Sequence, residues 1–371
     1  MARIHIALVG GQTVPTYIIA KMVADTTDKF ILVSSLESKK LGLNLQNVME
    51  KDFQRPIESI NLPAFNIPQI KDSIMRLKED TKNDVLTIDI TSGSKPWSIL
   101  FYNIFHDRPQ TTIYFDDQNN NVWNLSNDSK STAEGLGLEK IFELNGQRII
   151  KKDFKNISPL EVKEAKTIQK LRSKYSTQFA RIEKQFRELP KSEQQHPEGY
   201  SFENLGCKAR LNEDEIICDF RHTHITLQSP NRCNMFFNAG WFEIEVAELL
   251  SKWSEARSVW INCILQGRDG GAPLNEYDII VFNGIKYLFV ECKTQVNTPT
   301  DVDKFNNVKS YGGLQIKRIF ITDAEMKPMA KVKCQNAGIQ VFCMKDIRNN
   351  ANAEKRFYDE LNNIMNRIDT K

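Results

Sequence analysis

Residues 287–294, YLFVECKT, set a glutamate and a lysine two positions apart at the end of an apolar run. Glu291 and Lys293 would point to the same face of a strand, because side chains alternate between the two faces of a sheet. Such a pair is either a surface ion pair or part of a site that cleaves phosphodiester bonds. The same E-x-K spacing recurs elsewhere, for example at Glu37/Lys39, so the spacing alone is a weak indication of chemistry.

The residues Asn283-Gly284 predict a hairpin that brings further acids to Glu291. They join two strand-like runs, and this pair is typical of a tight turn between antiparallel strands. A two-residue turn would pair Phe282 with Ile285 and place Glu276 opposite Glu291. A three-residue loop would instead turn the acids to opposite faces. With the two-residue turn, one face of the hairpin carries four charged side chains: Glu276, Asp278, Glu291 and Lys293.

Three carboxylates beside one ammonium group are unfavourable, since like charges opposed across strands destabilise a sheet. Mn2+ or Mg2+ would relieve the repulsion, because these hard cations favour oxygen ligands. Such a cation can polarise a phosphodiester and lower the pKa of an attacking water. Lys293 would then orient that water or stabilise the charge developing at phosphorus. The alternative is a solvated, charged strand end.

The segment AGWFEIEVAELLSKW, residues 239–253, predicts a helix that offers one more carboxylate. Its apolar stripe is formed by Phe242, Val246, Leu249, Leu250 and Trp253. Glu243 and Glu245 flank this stripe about equally, so helical phase does not choose between them.

Small polar residues follow the strand-like runs of the first 145 residues. Short apolar runs alternate there with amphipathic helical stretches, which predicts a mostly parallel sheet covered on both faces. Ligands of such sheets bind outside the carboxyl ends of the strands, where the strand order reverses. The loop TSGSKP also opens a helix, so its N–H groups and its lysine favour an anion. The residues expected to bind a ligand are Gly11, Gln12, Thr13, Ser34, Ser35, Thr91, Ser92, Gly93, Ser94 and Lys95.

The length of 371 residues predicts two domains. We expect an N-terminal domain over residues 1–150, a helical linker over 151–199 and a C-terminal domain over 200–371. In the linker, Ser158, Pro159 and Glu161 predict the start of a long helix with a capping box. Its apolar stripe predicts packing against its own domain, with pairing to a second subunit as the alternative.

Composition constrains the protein's class only loosely. There are 50 Lys and Arg against 47 Asp and Glu, a balance that neither indicates nor excludes a nucleic-acid binder. No apolar run approaches the roughly 20 residues needed to span a bilayer, and no leader-like segment is recognisable. We therefore expect a cytoplasmic protein with no membrane partner.

Two sets of residues carry a resemblance to known families. Asp278 followed by Glu291-Cys292-Lys293 resembles the D…(E)xK core of PD-(D/E)xK restriction-endonuclease-like nucleases. The run GWFE is similar to a pattern of that family and favours Glu243 as the helix carboxylate. The loops ALVGGQTVPT and DITSGSKPWSI are similar to the ligand loops of CARF (CRISPR-associated Rossmann-fold) domains. Nearly the whole chain resembles the CARF-domain effector nucleases of type III CRISPR systems.

This resemblance implies an α/β protein with an N-terminal Rossmann-like parallel sheet, the CARF sensor, and a C-terminal restriction-endonuclease-like α/β domain. It implies a homodimer that binds cyclic oligoadenylate, expected as the four-adenylate ring, across its sensor domains. Binding would switch on metal-dependent cleavage of DNA, as single strands or by nicking a duplex, and of single-stranded RNA. Glu243, Asp278 and Glu291 would hold Mn2+ or Mg2+, and Lys293 would complete the catalytic set.

Two other functions remain open from the residues. The protein could be a restriction- or repair-type nuclease whose N-terminal domain is structural. It could also be a non-catalytic, nucleotide-sensing regulator with a degenerate nuclease domain. The intact acid-acid-lysine face favours an enzyme over the regulator, because a decayed site loses such an unfavourable cluster.

Overall fold

The structure is a computed structural model of the chain, and it describes most of the sequence. The described residues are 1–106, 111–116, 120–147, 149, 152–195, 197–266, 273–294, 300–306, 316–348 and 351–366. Helices and strands alternate over these ranges, and the strands form three sheets in a mixed α/β fold. No helix within them has the length and apolar character needed to cross a membrane.

The N-terminal sheet is parallel over the strands that end in the predicted ligand loops. Among the described residues, its strands are β1 (Arg3–Val9), β2 (Lys29–Ser34), β3 (Ile57–Asn61), β4 (Val85–Asp89), β5 (Thr111–Asp116), β6 (Asn121–Asn124) and β7 (Ser129–Thr132). Their order is β3-β2-β1-β4-β5-β6-β7, with β1 to β5 parallel and the last two antiparallel. Because β1 lies between β2 and β4, the strand order reverses there and leaves a crevice at the carboxyl ends.

Helices cover both faces of this sheet. They are α1 (Val14–Val23), α2 (Lys39–Phe53), α3 (Ile67–Asp80), α4 (Lys95–Phe105) and α5 (Leu138–Leu144), with a 3-10 turn at Ala24–Thr26. Alternate residues of β1 enter two different cores: Ile6 and Leu8 pack with the residues of α3 and α4, and Ala7 and Val9 with those of α1, α2 and α5. A strand buried on both faces reads as a continuous apolar run, which is why the sequence predicts this layer correctly.

From residue 152 the described elements are β8 (Lys152–Lys155), α6 (Pro159–Lys174), α7 (Ser176–Arg187), α8 (Lys191–Gln195), β9 (Ser201–Asn204), β10 (Cys207–Leu211), β11 (Ile216–Phe220), β12 (Thr223–Leu227), α9 (Arg232–Phe237), α10 (Gly240–Ser251), β13 (Ser258–Gln266), β14 (Pro273–Phe282), β15 (Tyr287–Lys293), α11 (Thr300–Asn306), β16 (Ile316–Thr322), α12 (Pro328–Asn336), β17 (Gln340–Cys343), α13 (Met344–Arg348) and α14 (Ala351–Asn366).

These strands form two sheets. A six-stranded sheet has the order β17-β16-β15-β14-β13-β8, and β9 to β12 form a four-stranded antiparallel sheet. The hairpin β14–β15 is antiparallel, whereas β15, β16 and β17 run parallel. Strand β8 comes from the segment expected to be a linker and pairs with β13. The domain boundaries at residues 150 and 200 stay a prediction.

The predicted long helix begins as expected and then breaks. Ser158 and Glu161 form the capping box, with each side chain bonded to the backbone N–H of the other residue. Tyr175 leaves helical geometry at φ −126° and ψ 42°, so α6 and α7 are separate helices. Ile168 and Ile182 of the apolar stripe are fully buried within the chain, in a core shared with α10 and the four-stranded sheet.

The hairpin has a different register from the one expected. Phe282 pairs with Tyr287, so residues 283–286 form a four-residue loop in place of the expected two-residue turn. The side-chain oxygen of Asn283 accepts hydrogen bonds from the backbone N–H groups of Ile285 and Lys286, at 3.0 and 2.7 Å. The buried ammonium group of Lys286 donates to the backbone oxygen of Met365 at 2.9 Å. These bonds hold the longer loop, which the Asn-Gly pair alone did not indicate.

One apolar core joins the N-terminal helices to the six-stranded sheet. Leu138 and Ile141 of α5 belong to the same buried cluster as Tyr287 and Phe289 of β15. The hairpin that carries the acidic residues is therefore packed against the N-terminal part of the chain. Because the core is close-packed, a movement of α5 can displace the hairpin.

Candidate functional site

Three of the predicted catalytic residues meet at the open end of the β14–β15 hairpin. The last paired positions are Ile279 and Val290, and one step further Asp278 lies beside Glu291. The Asp278 carboxylate accepts a hydrogen bond from the backbone N–H of Cys292 at 2.6 Å. Backbone pairing between the two strands thus ends at this point. The Asp278 side chain, in place of a backbone oxygen of β14, accepts the hydrogen bond from the Cys292 N–H.

The register error leaves the predicted face intact. The structure shifts the pairing by two positions, and side chains alternate with a period of two, so every side chain stays on its expected face. The partners do change, because Glu291 lies beside Asp278 and not opposite Glu276 as expected. Glu276 is exposed.

Lys293 lies between the carboxylates. Its ammonium nitrogen is 2.6 Å from Glu291 Oε1 and 4.0 Å from Asp278 Oδ2. The side chains of Asp278 and Glu291 are only 15% and 17% exposed, so the charges are partly removed from water. The ion pair considered from the sequence is therefore present, but one ammonium faces more than one carboxylate.

Glu243 belongs to this cluster and Glu245 does not. Glu245 is bound by Arg348, whose Nε donates to Glu245 Oε1 at 2.7 Å, and by Gln169, whose side-chain amide donates at 3.2 Å. Arg348 is 103 residues away in sequence, so the spacing of residues along the helix could not show that Glu245 is the acid with this partner. Glu243 instead feels the charges of Lys293, Glu276 and Glu291.

The electrostatics of the cluster show excess negative charge. Burial raises the pKa of Glu243 to about 7; Lys293 opposes this rise, and Glu276 and Glu291 add to it. Burial and the charges of Glu291 and Glu243 raise the pKa of Asp278 well above its ordinary value. Burial acts to lower the pKa of Lys293, but the carboxylates of Asp278 and Glu291 outweigh it and the pKa is raised. One lysine thus does not neutralise the acids.

The donor set fits a divalent cation in its chemistry. Carboxylate oxygens are the ligands that Mg2+ and Mn2+ favour, and a cation would offset the burial, and the smaller repulsion from Glu276 and Glu291, that raise the pKa of Glu243. Within the described part of the chain, however, no three His, Cys, Asp or Glu side chains are already grouped as a metal site. A metal would therefore need a rearrangement of side chains, and Lys293 is in direct contact with Glu291.

The second candidate site lies in the crevice of the N-terminal sheet, where the loops after β1 and β4 touch. A Cβ on Gly10 would come within 2.6 Å of the backbone nitrogen of Gly93, so the two loops meet backbone to backbone. Gly93 has φ +90°, a conformation that other residues rarely adopt. Ser92 fixes the contact, since its hydroxyl donates to the backbone oxygen of Gln12 at 3.1 Å.

A pocket of about 330 Å³ opens beside this contact. Its lining comes from the end of β1, from the loops that follow β1 to β4 and from the first turns of α2 and α4: Val9, Gly10, Gly11, Ser35, Glu37, Ser38, Leu41, Ala64, Phe65, Gly93, Ser94 and Trp97. Helix α4 begins here without a side-chain cap, and Lys95, its first residue, is exposed. The N–H groups of a helix start and a lysine at the mouth of a pocket favour a negatively charged ligand.

The predicted ligand residues differ in their position relative to this pocket. Gly11, Ser35, Gly93 and Ser94 line the pocket, Gln12 and Lys95 are exposed next to it, and Ser92 holds the loops together. The hydroxyls of the remaining three are bonded within the protein: Thr13 donates to the backbone oxygen of Leu144, Ser34 donates to Asn61, and Thr91 accepts from the backbone N–H of Phe115.

Ser38, Glu37 and Phe65 line the pocket but were not predicted. The Ser38 hydroxyl accepts from the N–H of Ser35 at 2.9 Å and donates to the backbone oxygen of Val9 at 3.0 Å. A serine three residues after Ser35, just before helix α2, was the available signal. Phe65 is 82% exposed at the pocket edge, and only its position after β3 pointed to it.

Residues 4–141 match the family model of the Card1 CARF domain. The CARF resemblance of the N-terminal loops is thereby supported, and the match ends before the acidic hairpin. A search of curated proteins found no match for the chain.

Several solved structures share the fold. Can2 from Sulfobacillus thermosulfidooxidans, in complex with cyclic tetra-adenylate, is 15% identical with a TM-score of 0.67, covering 98% of this chain and 100% of that one. Protein VC1899 from Vibrio cholerae is 13% identical with a TM-score of 0.68, covering 96% and 97%. A type III CRISPR defence DNA nuclease activated by cyclic oligoadenylate is 15% identical with a TM-score of 0.50, covering 88% of this chain and 46% of that one. These likenesses show a common fold.

Proposed function

We propose that this protein is a nuclease activated by cyclic oligoadenylate in type III CRISPR antiviral defence. It would act as a homodimer, bind cyclic tetra-adenylate in the N-terminal pocket, and use Mn2+ or Mg2+ to cleave DNA and single-stranded RNA. The observation that carries the proposal is the acidic face of the β14–β15 hairpin, with its uncompensated carboxylates, in one chain with a CARF-like segment. Two proteins of similar fold support the same function: Can2, which was solved in complex with cyclic tetra-adenylate, and the DNA nuclease activated by cyclic oligoadenylate.

Each residue of the hairpin face has a chemical role in this proposal. Glu243, Asp278 and Glu291 would hold the metal, which supplies charge stabilisation at the phosphodiester and a more acidic water. The backbone bond from Cys292 fixes the Asp278 carboxylate in place. Lys293, released from Glu291, would donate a hydrogen bond to the developing negative charge. Burial, together with neighbouring carboxylates, raises the pKa values of Glu243 and Asp278, and a bound cation would stabilise the ionised form of both side chains.

The activator pocket suits a cyclic oligonucleotide for two reasons. The start of α4 and Lys95 favour phosphates, and the exposed Phe65 offers a face on which a base could stack. A symmetric ring on a dimer two-fold axis would meet the same patch on each subunit. Gly11, Gln12, Ser35, Gly93, Ser94 and Lys95 would make the contacts, with Thr13, Ser34, Thr91 and Ser92 shaping the loops.

A chain of contacts connects the pocket to the hairpin. Thr13 donates to the backbone oxygen of Leu144 at 2.9 Å, at the end of α5. Just before α5, the backbone oxygen of Leu136 accepts a 3.4 Å bond from the Tyr287 hydroxyl at the start of β15. Gly135 lies against the hairpin loop, where a Cβ would come within 2.1 Å of the Gly284 oxygen. A ligand that moves the Thr13 loop can therefore move the strand that carries Glu291.

Gly135→Ala is expected to uncouple the two sites. The added methyl group pushes on the hairpin loop, so cyclic tetra-adenylate should bind within about threefold of the parent while activated cleavage falls about tenfold or more. Gly137→Ala is the matched control, because its Cβ would meet no atom within 4 Å. Calorimetric activator binding and the ratio of activated to basal cleavage are measured on both. An unchanged ratio in the Gly135 variant would show that this contact does not transmit activation.

The overall function is tested by one cleavage assay. Single-stranded RNA, single-stranded DNA and supercoiled plasmid are incubated with Mn2+, with and without cyclic tetra-adenylate. We expect cleavage that needs both, that stops on chelation, and that Glu291→Ala abolishes without loss of activator binding. Cleavage independent of the activator would favour a restriction- or repair-type nuclease. Activator binding without any cleavage would favour a non-catalytic regulator.

A further inference from the structure

A second pocket lies beside the hairpin face, between α6–α7 and α10. It measures about 250 Å³ and is lined by Gln169, Arg172, Ser173, Ser176, Phe179, Trp241, Asp323 and Arg348. Trp241 precedes Glu243 by two residues on α10. The backbone N–H of Asp323 donates to the backbone oxygen of Lys293 at 3.1 Å. The pocket therefore begins where the strand carrying Glu291 and Lys293 ends.

Two guanidinium groups define the character of this pocket. Arg172 lies 4.8 Å from the ring of Phe179 and 5.5 Å from that of Trp241, and one of its N–H groups binds the buried carboxylate of Glu183. Its other N–H groups have no partner among the described residues, and the side chain is 26% exposed. Arg348 binds Glu245 and Asp323 through three N–H groups. The lining thus carries two guanidinium groups that are already paired with the carboxylates of Glu183, Glu245 and Asp323, and Arg172 keeps N–H groups that no described residue binds.

Further hydrogen-bond donors face or border the same space. Ser173 and Ser176 are exposed, and neither hydroxyl is bonded to a described residue. Helix α7 starts at Ser176, and the residue before it, Tyr175, provides no side-chain cap for the first N–H groups. The indole N–H of Trp241 is buried and has no partner within the described chain. Unused N–H and O–H donors beside a guanidinium group are what a phosphate group requires.

We propose that this pocket binds a backbone phosphate of the substrate strand as the strand leaves the hairpin face. The inference rests on the proposed nuclease function and gives it a residue-level account of strand binding. Arginine side chains and hydroxyls that contact phosphate fix the position of a strand without reading its sequence. Arg172, already held by Glu183 and two aromatic rings, is pre-positioned for that contact.

Ser176→Asp tests the pocket without disturbing the fold. An acid in the first turn of α7 is favourable for the helix, so the melting temperature should be unchanged or slightly higher. The same charge inside the pocket repels a phosphate, and binding of a strand should weaken about tenfold. Thr177→Asp is the matched control: it places the charge on the next residue of the same helix, exposed but outside the pocket lining. Ser173→Asp, from α6, introduces the charge at a second position.

Binding is measured by fluorescence anisotropy of short labelled single-stranded RNA and DNA, on the full-length protein in EDTA, with and without cyclic tetra-adenylate. Weaker binding in Ser176→Asp and Ser173→Asp but not in Thr177→Asp, with a salt dependence reduced by roughly 0.7 in logarithmic slope, supports the proposal. Equal affinities in all variants, or no binding by the parent, would overturn it. A loss seen only with 5′-phosphorylated strands would overturn the assignment to an internal phosphate.

This experiment separates the two proposals. If the parent binds strands through the pocket but never cleaves them, the nuclease function fails and the strand-binding site stands. If the parent cleaves in the activator-dependent way and Ser176→Asp binds as well as Thr177→Asp, the nuclease function stands and the pocket has no role in strand binding.

Discussion

Glu243→Gln is expected to abolish metal-dependent cleavage and at the same time to make the metal-free protein more stable at pH 8. The two effects have one cause. Glu243 supplies negative charge that a metal needs, and without a metal that charge is held in a partly buried, repulsive cluster. Loss of a proposed metal ligand should reduce cleavage by at least about 100-fold.

The stability gain follows from the raised pKa. Burial is the main cause that lifts the pKa of Glu243 from 4.5 to about 7, so the folded protein binds a proton that the unfolded chain would release. A shift of this size corresponds to a penalty of about 3 kcal/mol in the free energy of unfolding above pH 7. The penalty builds up between the two pKa values as the pH rises, and it is absent at lower pH because the protonated group is neutral.

Thermal unfolding in EDTA, at pH 8 and pH 5, measures this difference. The variant should melt higher than the parent at pH 8, and the difference should be much smaller at pH 5. Added Mn2+ should raise the melting temperature of the parent more than that of the variant, since a bound ligand stabilises only the form that binds it. A variant that melts lower than the parent at pH 8, or that cleaves normally, would contradict the assignment of Glu243.

Glu245→Gln is the matched control on the same helix. Glu245 is bound by Arg348 and Gln169, so this variant weakens a charged pair and should be less stable than the parent. Metal-dependent cleavage by this variant should be unchanged. If Glu243→Gln raises the melting temperature and Glu245→Gln lowers it, and if only Glu243→Gln reduces cleavage, the two acids that the sequence leaves equivalent have different roles.

Lys95→Ala is expected to cause the largest loss of activation. A charge-assisted hydrogen bond to phosphate contributes about 1.5 to 3 kcal/mol, and a ring bound across a dimer would meet two copies of Lys95. One substitution therefore removes two contacts, and affinity for cyclic tetra-adenylate should fall by about 100-fold to 10,000-fold. Lys95 is exposed and forms no ion pair with a described residue, so folding should be unaffected.

Calorimetric titration with cyclic tetra-adenylate, together with cleavage at increasing activator concentration, measures this effect. At saturating activator the maximal cleavage rate should recover, because the hairpin face is intact. Lys21→Ala is the control: it removes an exposed lysine from the last turn of α1 that lies 4.0 Å from Glu134 and does not line the pocket. Unchanged activator affinity in the Lys95 variant would remove the helix start of α4 from the proposed binding site.

The sequence was informative wherever a local period decides the structure. The apolar runs of the N-terminal sheet include strands such as β1 that are buried on both faces. Their alternation with helical stretches predicts the parallel layer that the structure contains. The hairpin face survived an error in register, because an error of two positions does not change the face of any side chain. The capping box at Ser158 was likewise readable, since its partners are three residues apart.

Other features depended on partners far away in sequence. The break at Tyr175 divides what periodicity alone reads as one helix. Thr13 and Ser34 were expected to face a ligand, but their hydroxyls bond to Leu144 and Asn61 in other elements. The contact of Gly135 with the hairpin loop joins parts of the chain about 150 residues apart, and no local pattern announces it.

By itself, the sequence determined which residue types reach the end of the hairpin and which loops follow the parallel strands. Strand alternation and helix spacing are local properties, and they fixed the acidic face and the set of candidate loops. Only the tertiary structure decided that Glu243 faces Lys293 while Glu245 is bound by Arg348. It also decided which loop residues line the crevice. The reason is physical: burial and charge neighbours arise from elements distant in sequence, and they set both the pKa of a side chain and its freedom to bind.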